Sequence, residues 1–261
     1  MSASFSMSAP LSVNRVPEVT MDFWIVKLLA VTVGETAADH IIFNLGYGLQ
    51  TTSMLMTALL AVVLALQFSQ RRYIPWSYWL AVVMVSVVGT LVTDSLVDNY
   101  GIALETTTIV FAVLLTATFA AWYAVERTLS IHTVYTFRRE AFYWLAILLT
   151  FALGTAAGDL IAETFDVGYL NTGLLFAAVI AGIAVAWYAG AINAILAFWL
   201  AYILTRPLGA SLGDLLSQSE ADGGMGLGTT VTSTVFLVAI AAVVVYMTFA
   251  GNRDTAPSSN T

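Results

Sequence analysis

The chain has 261 residues, of which 59% are hydrophobic and 10% are charged, and its formal net charge is −7 at pH 7. A soluble domain carries about 25% charged residues, so this composition excludes a soluble protein and predicts that lipid covers its surface. The scarcity of Lys and Arg excludes a nucleic-acid partner, and the absence of cysteine excludes disulfides and thiolate metal sites.

In chain order, the polar stretch 1–20 comes first, and it lacks the basic region and apolar core of a signal peptide. Eight apolar runs follow, each with about 20 residues, which is enough to cross a bilayer. They predict transmembrane helices at 21–41, 51–70, 76–98, 106–126, 141–163, 169–189, 192–216 and 228–250. We therefore predict a polar N-terminal tail, a single membrane domain at 21–250 and a polar C-terminal tail at 251–261.

An even number of spans places both termini on one side of the membrane. The connections on that side contain the basic residues Arg71, Arg72, Arg127, Arg138 and Arg139, whereas the opposite connections are acidic. The positive-inside rule makes the basic side cytoplasmic, which predicts a multi-pass protein of the cell's inner, cytoplasmic membrane.

One sequence frame occurs four times: an aromatic pair ending in Trp, a Gly ten residues later and an Asp fifteen residues after the Trp. The copies are Trp24–Gly34–Asp39, Trp79–Gly89–Asp94, Trp144–Gly154–Asp159 and Trp199–Gly209–Asp214. Because each copy contains two spans, all copies enter the membrane in the same orientation. The sequence predicts an all-α bundle of four parallel two-helix repeats, at about 21–70, 76–127, 141–189 and 192–250. Either a quasi-fourfold ring or two halves would satisfy this pattern.

The frame also predicts depth in the membrane. A rise of about 1.5 Å per residue puts each glycine about 15 Å and each aspartate about 22 Å from its aromatic pair. The glycines then lie near the midplane and the aspartates toward the outer side. Small residues allow helix backbones to approach closely in lipid, so we expect the odd-numbered helices to form an inner bundle that the even ones cover.

Most copies add a second carboxylate one helical turn from the aspartate. The resulting ion- or proton-binding candidates are Glu35, Asp39, Asp94, Asp98, Asp159, Glu163 and Asp214, and Gln218 replaces the second acid in the fourth copy. Ionisable groups inside a membrane are costly and usually line a pathway or a pairing site. The alternative is that these acids lie at the water interface and only end the helices.

Hydroxyl-rich runs begin the even-numbered spans at 51–53, 106–108, 171–172 and 229–233. They either cap the helices or add neutral oxygen ligands beside the acids. Carboxylate and hydroxyl oxygens suit hard cations, which predicts a metal site built by Asp39, Asp94, Asp159 and Asp214 and no other cofactor.

Two cations lie within spans and are candidate counter-charges. Lys27, three residues after Trp24, is expected to extend back to the cytoplasmic interface. Arg206 lies about 10 Å deep and is expected to pair with an acid. The adjacent Pro207 predicts a kinked or broken seventh helix, and any binding site should be asymmetric and centred near that helix. His40 is read as a polar group at a helix end, with a proton relay as the alternative.

The fourfold frame, together with RPLGASLGDLLS at 206–217, resembles a family of bacterial and archaeal multi-pass membrane proteins built from a tandem repeat of unknown function. The resemblance covers nearly the whole chain. It implies the same repeated helical fold and little about activity.

Three functions compete. The first is a secondary transporter, in particular an exporter of a hard divalent cation of the Mn²⁺ type, coupled to protons through the repeated carboxylates. A small organic cation would use the same acids. The second is a scaffold or partner-binding subunit in which the acids only tie helices together. An intramembrane enzyme is the weakest, since no hydrolase or nucleotide-binding motif is present. The expected partners are the lipid bilayer, a small cation and protons, and a homo-oligomer remains open.

Overall fold

A computed structural model describes residues 14–165 and 167–254, without the side chains of Glu163 and of residues 250–254. Within these ranges the chain forms eight α-helices and no β-strand, which confirms the all-α prediction. The helices are α1 (Met21–Asp39), α2 (Leu49–Ser69), α3 (Pro75–Asp94), α4 (Leu104–Glu126), α5 (Phe137–Asp159), α6 (Tyr169–Tyr188), α7 (Ala194–Ser217) and α8 (Thr229–Asp254).

Seven of the eight helices are long and apolar enough to cross a membrane. The exception, α1, contains Asp22, Lys27 and Glu35, yet it packs side by side with α3 and α7 as a full member of the bundle. The outer helices expose large apolar side chains such as Met54 and Val113, which suit contact with lipid. The chain is therefore a helical multi-pass membrane protein.

The four odd-numbered helices form a closed ring in which α1 packs on α3, α3 on α5, α5 on α7 and α7 on α1. The even-numbered helices lie outside this ring. Their main partners are α3 for α2, α5 for α4, α7 for α6 and α1 for α8. Each outer helix thus covers the ring helix of the following repeat, and the last repeat closes onto the first. Of the two predicted arrangements, the structure has the quasi-fourfold ring.

The four repeated glycines lie where neighbouring ring helices approach closely. A Cβ atom added at Gly34, Gly89, Gly154 or Gly209 would lie 2.4, 2.6, 2.5 or 2.8 Å from the Cβ atom of Ser86, Phe151, Arg206 or Val31, respectively. Each of these partners stands three residues before the glycine of the neighbouring helix. The same register therefore recurs at all four interfaces, and a larger residue would force the backbones apart.

The aromatic pairs of the frame close the ring at the end predicted to be cytoplasmic. Each tryptophan packs on the preceding repeat's aromatic residue, with centroid distances of 5.8 Å for Trp24–Phe198, 5.5 Å for Trp79–Phe23, 5.5 Å for Trp144–Tyr78 and 6.2 Å for Trp199–Tyr143. The hydroxyl groups of Tyr78 and Tyr143 also meet at 2.5 Å. These aromatic side chains fill the centre of the bundle.

The segment 14–20 lies across the same end of the ring as the aromatic layer. The side chain of Asn14 donates to the carbonyls of Val16 and Ile131 and accepts from the backbone of Val134, each at 3.0 Å. Arg15 forms a 2.5 Å salt bridge with Glu140, whose side chain is almost fully buried. These contacts attach the N-terminal segment to the α4–α5 connection and seal this end.

The predicted spans each coincide with one helix. The largest difference is at α5, which begins at Phe137 because Thr136 caps it by accepting a hydrogen bond from the backbone of Arg139. The predicted break at Pro207 is wrong, because α7 is α-helical throughout. Gly154 and Gly158 of α5 leave room for the proline ring, since a Cβ at Gly158 would lie 3.3 Å from that of Pro207.

Candidate functional site

A cavity of about 370 Å³ lies at the end of the ring opposite the aromatic layer, where the helices carry the repeated aspartates. Its lining includes six carboxylates, which are Glu35, Asp39, Asp94, Asp98, Asp159 and Asp214. All four ring helices contribute at least one of them. The structure therefore brings together every predicted acid except Glu163, whose side chain lies outside the described part of the chain.

Exposure varies with position along the ring helices. Asp98 and Asn99 at the mouth are exposed, Asp39, Asp94 and Asp159 are half-buried, and Glu35 and Asp214 are buried. The cavity therefore opens at the end of the ring near Asp98, and its most buried acids are Glu35 and Asp214.

The carboxylates lie close enough to repel one another. Asp94 and Asp214 each experience the negative charges of Glu35, Asp39 and Asp159. A concave site lined by one sign of charge raises the local concentration of the opposite ion. This cavity is thus suited to attract cations and to exclude anions.

Arg206 lies behind Glu35, one of the acids that line the cavity. Its Nη2 group donates to Glu35 Oε2 at 2.8 Å and to Thr155 Oγ1 at 2.7 Å, and it also contacts Thr90 Oγ1. The Arg206 side chain is fully buried, and that of Glu35 is 9% exposed. The prediction that Arg206 pairs with an acid is confirmed.

The repeat explains how one arginine reaches three helices. Glu35, Thr90 and Thr155 all stand eleven residues after their tryptophan, and the fourth member of this layer is the small Ala210. Arg206 stands seven residues after Trp199, one turn below that layer. From there its guanidinium extends to the other three members. Thr90 and Thr155 were missed in the sequence, although the frame that relates the aspartates also aligns these threonines with Glu35.

Lys27 lies elsewhere than predicted. Its side chain is fully buried, so the expected extension to the cytoplasmic interface is wrong. The Nζ atom lies 4.1 Å from the ring centroid of Tyr202 and 4.3 Å from that of Phe151. Lys27 faces inward because it stands seven residues before Gly34, which places both on nearly the same side of α1.

The fourth repeat differs at the mouth of the cavity. Gln218 replaces the second acid of the other copies, and its amide donates to Asp39 Oδ2 at 3.4 Å. This contact joins the end of α7 to α1 across the closure of the ring. With Arg206 on the same helix, α7 makes the site asymmetric.

A π-helical turn follows the aspartate in three repeats, at His40–Asn44, Ser95–Asn99 and Leu160–Thr164. Such turns are rare and are frequent at functional sites. The sequence did not predict them, since a hydrogen bond from residue i to i+5 requires no particular residue type. Asp98 lies within the second turn and lines the cavity together with Asp94.

The hydroxyl runs of the even-numbered helices do not contribute to the cavity. The lining hydroxyl groups belong to Thr93 and Tyr169, outside those runs. The capping interpretation is also wrong for α2, α4 and α6, whose N-cap residues are Gly48, Ala103 and Gly168. Thr107 instead donates to the carbonyl of Ala103 one turn earlier. His40 Nδ1 and Thr230 Oγ1 share a hydrogen bond of 3.1 Å, which fits the polar helix-end role of His40.

Among the described residues, no three His, Cys, Asp or Glu side chains are arranged to hold a metal ion directly. The four repeated aspartates therefore surround a common space without forming a compact ligand cluster.

The four repeats match the family described as Repeat of Unknown Function (DUF347), at residues 23–73, 77–128, 142–192 and 197–252. Each match contains one ring helix and the outer helix that follows it. No curated protein and no solved structure matches the chain significantly. Because the four matches cover most of the sequence, the chain belongs to the family of proteins built from this repeat of unknown function.

Proposed function

We propose that the protein is a secondary transporter of the cytoplasmic membrane that exports a hard divalent cation, of the Mn²⁺ type, in exchange for protons. One observation carries this proposal: six carboxylates from all four ring helices line one cavity, and one of them, Glu35, forms an ion pair with the buried Arg206. A scaffold would not need a cavity that gathers like charges.

The size of the cavity supports a hydrated ion as substrate. A cation with six waters occupies roughly 180 Å³ if each water takes about 30 Å³. The cavity of about 370 Å³ has room for such an ion. Oxygen ligands without sulfur or clustered imidazole favour a hard cation over a soft one.

The Arg206–Glu35 pair supplies a mechanism for release. When a cation lies on the acids, Glu35 can turn from Arg206 to the ion. When the ion leaves, the Glu35 carboxylate returns to Arg206 and the ion pair forms again. Protons arriving from outside neutralise the remaining carboxylates, because adjacent like charges favour uptake of protons. The ion thus leaves to the outside and protons take its place.

The two ends of the ring differ as alternating access requires. The outer end is open at the acids, whereas the cytoplasmic end is closed by the aromatic layer and the segment 14–20. In this reading the structure corresponds to the outward-facing state. The inward-facing state would need the aromatic layer to separate.

The test is Mn²⁺ flux into proteoliposomes that carry a pH gradient. Asp94→Asn and Asp159→Asn should each abolish flux and leave the size-exclusion profile unchanged. Glu220→Gln is the matched control, since Glu220 is an exposed outer carboxylate beyond the cavity, and it should retain flux. Unchanged flux in both Asn variants refutes the proposal.

Two other outcomes identify the competing functions. In the first, the protein transports a polyamine such as spermidine but not Mn²⁺, and the same variants lose this flux. The substrate is then an organic cation and not a metal ion. Absence of any flux, together with lower thermal stability of Asp94→Asn and Asp159→Asn, supports the scaffold. The transporter predicts equal or higher stability for these variants, because each removes like-charge repulsion from the cavity.

A further inference from the structure

Lys27, the only lysine in the chain, carries a charge into the interior of the ring below the acidic cavity. The faces of the Tyr202 and Phe151 rings attract its ammonium group. Its Nζ atom nevertheless contacts no hydrogen-bond acceptor. All three of its N–H donors are therefore unused in a fully buried position.

Arg206 brings a second positive charge to the same place. Its guanidinium carbon lies 5.6 Å from the centroid of Phe151, the ring that Lys27 also faces, and the two cations repel each other. Nη2 binds Glu35 and the two threonines, whereas Nε and Nη1 are buried without an acceptor. The Tyr202 hydroxyl is likewise buried and unpartnered.

The neighbouring layers of the ring contain no acid to balance this charge. The eight residues that stand three and seven positions after the tryptophans are Lys27, Val82, Ile147, Tyr202, Val31, Ser86, Phe151 and Arg206. Glu35 can neutralise one of the two cations. When Lys27 is protonated, one positive charge is left over in the membrane interior, where an unpaired ion is costly.

We propose that a small monovalent anion of the halide type binds among Lys27, Arg206 and Tyr202. A halide accepts hydrogen bonds and donates none, which matches a set of unused N–H and O–H donors. It also balances the remaining charge, which water does not. This site lies on the cytoplasmic side of the Arg206–Glu35 pair and is separate from the proposed cation cavity.

The experiment uses the single lysine as a reporter. Protein labelled with ¹⁵N in its lysine alone, purified in detergent, should give one side-chain signal and one backbone amide signal, both from Lys27. Titration with chloride or bromide at constant ionic strength should shift this signal saturably, whereas gluconate should not. The halides should also raise the thermal unfolding midpoint by several degrees over gluconate.

The variants separate the site from a general salt effect. Tyr202→Phe keeps the ring, removes one donor and should weaken halide binding several-fold, and Lys27→Met should abolish the halide-dependent rise in midpoint. Arg72→Met is the matched control, because Arg72 is an exposed cation in a connection, and it should retain the full response.

A Lys27 signal that chloride and gluconate affect equally, or not at all, overturns the site even if every variant fails to fold. Because halide binding is measured in detergent without any flux, its outcome is independent of the cation-transport test. Loss of Mn²⁺ flux in the Asn variants combined with an unresponsive Lys27 would uphold the first proposal and overturn this one.

Discussion

Removal of Arg206 should cost more stability than simultaneous removal of Arg206 and Glu35. The guanidinium is fully buried and binds Glu35 and two threonines through one nitrogen. Arg206→Met leaves the Glu35 carboxylate in the membrane interior without its partner. Breaking a buried ion pair in this way costs about 3–5 kcal/mol, and we expect about 3 kcal/mol because Glu35 retains some contact with the cavity.

The double variant Arg206→Met/Glu35→Gln should lose less. It removes the charge together with its partner, so the loss reduces to a few polar contacts between helices, at about 0.6 kcal/mol each. We expect a total of about 2 kcal/mol, less than either single variant and far below their sum. The free energy of unfolding can be measured in mixed detergent micelles by fluorescence of the seven tryptophans.

The control is Arg138→Met. The Arg138 side chain is 66% exposed and forms an ion pair with Glu126. Glu126 keeps its second partner Arg139 at 2.6 Å, so this variant should remain near wild type. Additivity of the Arg206 and Glu35 substitutions within about 0.5 kcal/mol would refute the coupling, because independent sites add to that precision.

Three further substitutions test the packing and the cytoplasmic end. Gly89→Ala should lower the free energy of unfolding by about 1–3 kcal/mol, because its Cβ would lie 2.6 Å from that of Phe151. In the same unfolding assay the control Gly182→Ala should be neutral or stabilising, since no atom lies near its added Cβ. Arg15→Ala should leave Glu140 buried without its cation and should accelerate hydrogen exchange in 14–20, measured by mass spectrometry. Burial raises the pKa of Tyr73 from 10.0 to about 12, so its neutral form stabilises the fold below pH 10 and this contribution is lost as pH rises to about 12. Thermal stability of Tyr73→Phe should therefore fall less steeply over that range than that of wild type.

Much of the fold could be predicted because the repeat and the hydropathy pattern extend over most of the chain. Spacing between Trp, Gly and Asp predicted four equivalent helices, and length predicted where each crosses the membrane. The partner of each outer helix could not be predicted in this way. A helix that faces lipid is apolar all round, so its sequence does not mark which ring helix it covers.

The site was predictable for its acids and less so for its cations. Asp39 and its equivalents repeat, so one frame placed them all at one depth. Lys27 occurs once, and the prediction relied on the tendency of lysine to reach the interface. Its distance of seven residues from Gly34 was the better signal, since the glycine side of α1 had already been assigned to the interior.

The asymmetry of the site follows from a limit that the ring itself imposes. The layer seven residues after each tryptophan packs against the glycine of the preceding ring helix, so its side chains are confined to the crowded interior. Four arginines there would place four like charges around one axis, and the repulsion would open the ring. A single arginine can instead bind acceptors from the three other helices, provided that its own helix leaves space one turn above. Glu35, Thr90 and Thr155 supply those acceptors, and Ala210 leaves the space. The repeats therefore had to diverge at these two layers for a single charge to be held inside the ring, while the aspartates farther out could remain identical because they line a common cavity.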